Sequence, residues 1–171
     1  MFKKGKYDEI VFKLKKRKKE IIIENNFKGD YVWIFNNLSD NEISIDHKLL
    51  SYEKAEKFNT EYHEMFEEIT KDMWIFAETG QGDFWLVDLA NAQNSIYFYD
   101  HDLSIVVDMS IDMKEWFELA DIVSQKEELF KNHRNIYFDE NLNLKDEYRR
   151  QILAEVEKIK KGLSSTYPFE L

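Results

Sequence analysis

The chain contains no cysteine, which excludes a disulfide framework, a zinc–thiolate centre and a thiol nucleophile. Proline occurs once, at Pro168, and glycine five times, so no linker or low-complexity tract marks a second domain. Internal repeats are also lacking. No apolar run approaches the roughly 20 residues that a bilayer span requires. The opening residues, MFKKGKYDEIVFKLKKRKKEIII, carry charge without the continuous apolar stretch of a secretory signal. These absences lead to the expectation of a cytoplasmic protein without a membrane span.

What is present is a large aromatic fraction, 15% of 171 residues, and a segregated charge. Such a chain is long enough, and rich enough in rings, to bury a core as one domain. Residues 1–20 hold nine Lys/Arg against three Asp/Glu, while the remainder holds 15 against 31. Between Leu38 and Asp121 the imbalance is steepest, with 20 acidic and five basic side chains. The expected organisation is a basic N-terminal arm over 1–20 and a single domain over 21–171. An acidic body of this kind repels nucleic acid and draws cationic partners towards it.

Ile10, Val11 and Leu14 form a short apolar stripe in the arm. Tyr31–Phe35 (YVWIF) reads as a strand and Glu42–Ile45 as a possible one, while Lys19–Ile23 is ambiguous between strand and helix end. Ser51 opens a helix with Ala55, Phe58, Tyr62, Met65, Phe66 and Ile69 at the 3.6-residue period. Met73–Ala77, Asp83–Leu89 and Ser95–Tyr99 then read as an antiparallel meander, with a further strand at Ile105–Met109. Polar connectors at 90–94 and 100–104 separate the later strands. Asp112 and Glu115 resemble a capping box ahead of a helix buried through Met113, Trp116, Phe117, Ala120 and Val123. Asn135–Phe138 suggests an edge strand. A last helix, Asp146–Lys161, carries Tyr148, Ile152, Val156 and Ile159 in register and stops at Gly162. The order predicts an α+β fold: a single antiparallel or mixed sheet with helices mainly on one side.

Chemical motifs are few. Gly80-Gln81-Gly82 lacks the third glycine and following helix of a dinucleotide loop, since Trp85 and a strand come next, so it reads as a hairpin turn. His47, His63, His101 and His133 share no metal-ligand spacing. Asp100-His101-Asp102 places alternate residues on opposite faces of a strand and reads as a polar turn, with no metal expected. A carboxylate-pair hydrolase would need two acids in a cleft with one pKa raised, and the sequence singles out no such pair. The chain is therefore read as a non-enzyme that needs no cofactor. Phosphate contacts by Lys13–Lys19 are opposed by the acidic body, and Phe12 is the sole ring beside these lysines, so no nucleic-acid partner is expected.

Trp74, Phe76, Phe84, Trp85, Tyr97, Phe98 and Tyr99 are too numerous for one buried face. Either both faces are covered or an aromatic patch is left for a partner.

The segment Trp74–Ile122 resembles the SUKH superfamily of Smi/Knr-type proteins. The elements that carry the likeness are Gly80-Gln81-Gly82-Asp83, Phe84-Trp85-Leu86-Val87-Asp88, Ile96-Tyr97-Phe98-Tyr99-Asp100-His101, and Ser110-Ile111-Asp112 leading to Trp116-Phe117. The Leu-Pro step of such proteins is absent here. The resemblance implies a mixed α+β domain that works by binding. Bacterial members look like immunity proteins that neutralise polymorphic toxins, often nucleases, and eukaryotic relatives act as regulators of cell-wall synthesis.

The resulting expectation is a protein-binding domain, most concretely an immunity protein, that meets a basic toxin through an acidic, ring-bearing sheet face. The residues expected to carry it are Asp83, Trp85, Asp88, Tyr97, Tyr99, Asp100 and Asp102. The alternative is a regulatory or small-ligand domain of the Smi/Knr type, with a pocket between the meander and the helix at Asp112–Val123.

Overall fold

The computed structural model describes residues 1–19, 21, 23, 27, 29–90 and 95–171. Part of the ambiguous segment Lys19–Ile23 and most of the connector at 90–94 lie outside the described residues. The elements run α1 (Tyr7–Lys13), α2 (Asp30–Asn37), β1 (Asn41–Ser44), β2 (His47–Leu49), α3 (Tyr52–Tyr62), β3 (Met73–Glu78), β4 (Phe84–Asp88), β5 (Ile96–Asp100), β6 (Ile105–Ile111), α4 (Met113–Tyr137), α5 (Asp146–Ile159) and α6 (Leu163–Thr166). The fold is α+β, and its six strands form one antiparallel sheet in chain order, β1 to β6. The chain divides into two compact units, Lys13–Met113 and Met1–Phe12 with Lys114–Leu171. Of the basic N-terminal residues, Met1–Phe12 belong to the second unit, and the first begins at Lys13.

In the sheet unit, Tyr31–Phe35 is helical rather than a strand. Its aromatic and β-branched residues favour a strand by a scale that spans only about 1 kcal/mol. As a helix, the same segment buries Tyr31, Ile34 and Phe35, and Leu38 follows one turn on. Each such side chain contributes about 1.5–3 kcal/mol on full burial, so packing outweighs propensity. Gly29, at φ 57°, turns the chain into the helix.

Helix α3 is shorter than its periodicity predicts, ending at Tyr62 where turns follow. Beyond the helix, Phe66 ring-packs on Phe84 and Tyr99, at 6.2 and 5.2 Å between centroids, beside the last helical residue, Tyr62, at 5.1 Å from Phe84. Asn59 performs a task that the periodicity does not reveal. Its side-chain amide donates to the Ile75 carbonyl at 2.9 Å and its oxygen accepts from the Ile75 N–H at 2.8 Å. Strand β2 pairs with β3 only as far as Ala77, while the bulge between Ile75 and Ala77 lies on the other side of β3, in its ladder with β4. Asn59 supplies the pairing that a strand would otherwise give to a buried backbone.

In the helical unit, Asn135–Phe138 is not an edge strand. Helix α4 continues to Tyr137, interrupted at His133 (φ −142°, ψ 29°), and Phe138 makes one isolated bridge to Leu144. The N-terminal residues are laced to the helices of this unit. Gln125 accepts from the Lys3 N–H at 3.1 Å and donates to the Lys3 carbonyl at 2.8 Å, while Lys4 pairs with Glu118 at 3.0 Å. Ile152, Val156 and Ile159 form the expected buried stripe of α5. Gly162, at φ 89°, makes the stop in the left-handed region that glycine enters freely. Glu157 accepts from the Gly162 N–H at 2.7 Å and the Ser164 N–H at 3.1 Å, and these bonds hold its carboxyl below the usual range.

Candidate functional site

A sheet that runs up and down in chain order places the β1–β2, β3–β4 and β5–β6 turns at one end. Binding residues concentrate on loops held by such a rigid scaffold. Here the three turns are joined to one another. Gly80 donates its N–H to the Ile45 carbonyl at 2.7 Å, and the Trp85 indole donates to the Asp46 carbonyl at 2.7 Å, so the first hairpin is bound to the second. Asp83 binds the second hairpin to the third. Its Oδ1 accepts from the His101 N–H at 3.2 Å and lies 2.6 Å from His101 Nδ1.

Asp83 is itself fixed from behind. The Thr79 hydroxyl accepts from the N–H groups of Gln81 and Asp83, both at 3.1 Å, and donates to Asp83 Oδ2 at 3.3 Å. Two glycines make this turn possible for different reasons. Gly82 sits at φ 101°, where a side chain is strained, whereas a Cβ on Gly80 would meet Ile45 Cγ1 at 2.7 Å. The hairpin expectation for Gly80-Gln81-Gly82 therefore holds, with a close approach added to the backbone argument.

Two histidines belong to this end and have opposite environments. His47 is fully buried, stacks on Trp85 at 5.0 Å and shares a 2.8 Å hydrogen bond with the Ser44 hydroxyl. Burial lowers its pKa to about 3, so the ring is neutral at physiological pH. His101 is exposed on the third hairpin. The hydrogen bond to Asp83 raises its pKa, with Asp102, 3.3 Å from Nε2, and Asp100 adding their charges. From the joined turns project Ile45 (50% exposed), Leu103 (66%) and the side chain of Asp102 (85%).

The seven residues expected to form one binding face do not share one. Asp83, Asp100 and Asp102 meet at the hairpin end, although Asp83 is buried and faces His101 rather than solvent. Asp100 is half-buried and accepts from the Leu103 N–H at 2.9 Å. Asp88 lies at the far end of β4, about 16 Å away along a five-residue strand. Trp85 and Tyr99 are corrections: they are 0% and 1% exposed, point to opposite faces of the sheet, and belong to the core. Tyr97 is half-buried in mid-strand. The aromatic excess is thus resolved by burial of rings on both faces, Phe84 and Tyr99 on one and Trp85 and Phe98 on the other.

Sequence reasoning missed Thr79, Ile45 and Leu103, and treated His101 only as part of a polar turn. The Thr79–Asp83 spacing across a two-glycine turn is the signal that was available. Among the described residues, no group of three His, Asp or Glu side chains is placed to hold a metal ion. Glu53, Glu155 and Glu157 are displaced in ionisation, and all three move down through hydrogen bonds to Arg17, Lys158 and Gly162 in turn, the direction of structural pairing. A hollow of about 510 Å³ lies in the helical unit along Phe130–Ile136, beside the interruption of α4 at His133. No described helix is long and apolar enough to cross a membrane. The chain matches no family model, no curated protein and no solved structure.

Proposed function

We propose that this protein acts by binding, and that the three-hairpin end of its sheet is the contact surface for a basic protein partner. In its most concrete form the partner is a toxin and the chain its immunity protein, as the SUKH-like segment implies. The observation that carries the reading is the locked set of turns bearing exposed Ile45, Leu103 and the His101–Asp102 pair. A preorganised surface loses little conformational freedom on association, and two apolar anchors beside the exposed Asp102 carboxylate suit a cationic partner. The anchors are Ile45 and Leu103 in place of Trp85 and Tyr99, whose rings are buried.

The test is coexpression with a toxin encoded beside this gene, together with measured binding of the purified pair. Growth is expected to be restored. Asp102→Lys should slow association about tenfold at low salt, and Leu103→Glu should speed dissociation. Unrescued growth, or binding that neither substitution alters, would refute the assignment of this surface.

A further inference from the structure

The basic stretch over Lys13–Lys19 is not a free arm. Lys16 and Leu38 form one antiparallel bridge, in which Ser39 donates to the Lys15 carbonyl at 3.1 Å and Arg17 donates to the Asn37 carbonyl at 2.8 Å. The Asn41 side chain accepts from the Lys15 N–H at 2.7 Å and donates to its carbonyl at 3.1 Å. The strip is therefore held along the C-terminal end of α2. Lys13, Lys15, Lys16, Lys18 and Lys19 are all exposed on it. Arg17 instead binds Glu53 through its two terminal guanidinium nitrogens.

The helical form of Tyr31–Phe35 adds a second feature that a strand reading hides. It turns Trp33 outward, 45% exposed, with Lys16 Nζ 5.4 Å from the ring centroid. Among the described residues, Glu53 is engaged with Arg17, Asp40 with the Ser51 N–H at 2.8 Å, and Glu42 with Lys48 at 3.8 Å. Screening confines the influence of the acidic body to roughly 8–10 Å at physiological salt, so a local cationic strip keeps its sign.

From this juxtaposition we infer that the Lys13–Lys19 strip and the exposed Trp33 ring form a binding site for single-stranded nucleic acid. Exposed lysines following one another along the chain can meet successive phosphates, and a solvent-facing ring offers one stacking platform for an unpaired base. A membrane surface is the poorer match. Trp33 and Val32 are the exposed large apolar side chains of α2, too small an apolar area for an inserted helix face. The inference is independent of the hairpin end and of its partner.

The test titrates the full chain with a fluorescent dT12 oligonucleotide, followed by anisotropy, and reads protein tryptophan emission in parallel. Trp74, Trp85 and Trp116 are buried, so contact quenching reports on Trp33. Binding is expected at 50 mM salt, with Trp33 emission quenched. Four neutralised phosphates would weaken it roughly 50-fold by 200 mM. Trp33→Ala should lower affinity about tenfold, and combined Lys15→Glu, Lys16→Glu and Lys18→Glu should abolish binding while circular dichroism stays unchanged. These positions are exposed, so the fold is expected to survive. The inference is overturned if the oligonucleotide produces no anisotropy change, if duplex binds as well as single strand, or if the lysine substitutions leave affinity intact. It is equally overturned if vesicles containing phosphatidylserine shift Trp33 emission to the blue while dT12 has no effect.

Discussion

His47 and His101 stand at the same end of one sheet, yet the fold treats them as different chemical groups. His47 lies in the interior of the hairpin end, against Trp85, and is kept neutral by burial. His101 lies on the rim between Asp83 and Asp102, where negative charge favours its protonated form. The contrast teaches that one residue type at neighbouring turns serves packing in one case and a charged surface in the other. Solvent access decides which.

The largest effect should come from emptying the interior side. Trp85→Ala removes a fully buried indole, its bond to Asp46 and the ring on which His47 stacks. A loss of about 3–5 kcal/mol in unfolding free energy is expected by denaturant titration. A loss below 1 kcal/mol would mean that the hairpin interior is not packed as described.

The next effect is a pH dependence with a definite sign. Because the folded His47 pKa of about 3 lies below the unfolded value of 6.5, the unfolded chain binds the extra proton between these limits. Stability from this group is complete above pH 6.5 and falls as pH drops, by at most about 1.4 kcal/mol per pH unit. Comparing wild type with His47→Leu between pH 7 and 5 should isolate roughly 2 kcal/mol of acid sensitivity. Equal slopes in the two proteins would remove the interior half of the contrast.

On the rim the sign reverses. A raised His101 pKa gives a contribution that is complete below the unfolded pKa and disappears as pH rises through the folded one. Asp83→Asn should move the His101 titration, followed by its ring NMR signals, down towards the ordinary value. An unmoved midpoint would show that Asp83 is not what raises it. The smallest effect on stability belongs to Asp102→Asn and Leu103→Ala, each expected within about 0.5 kcal/mol because both side chains are exposed. A cost above 2 kcal/mol would place them in the core and disqualify them as a contact surface.

Much of the sheet was legible in the residues. Met73–Glu78, Phe84–Asp88, Ile96–Asp100 and Ile105–Ile111 match the expected strands to within one or two residues, since strand-length apolar runs separated by turn residues leave little freedom. Tyr31–Phe35 was misread because its residues favour strands, while its burial pattern follows the helical period. The short β2 at His47–Leu49 carries no run of its own and exists through pairing with its neighbours. Of the candidate site, Asp83, Asp100 and Asp102 come together as acidic turn residues. Trp85 and Tyr99 do not join them, because alternation along a strand names the side of a ring but not what covers it.

The amino-acid order alone determined the charge segregation, the exclusion of thiol chemistry and the meander at the centre of the chain, because composition and two-residue periodicity are local properties. Tertiary structure decided which rings are buried, which histidine stays neutral, that Asn59 completes a strand, and that Trp33 stands beside the lysines. Each of those outcomes depends on neighbours distant in the chain, and burial, desolvation and hydrogen-bond partnership have no value until those neighbours are in place.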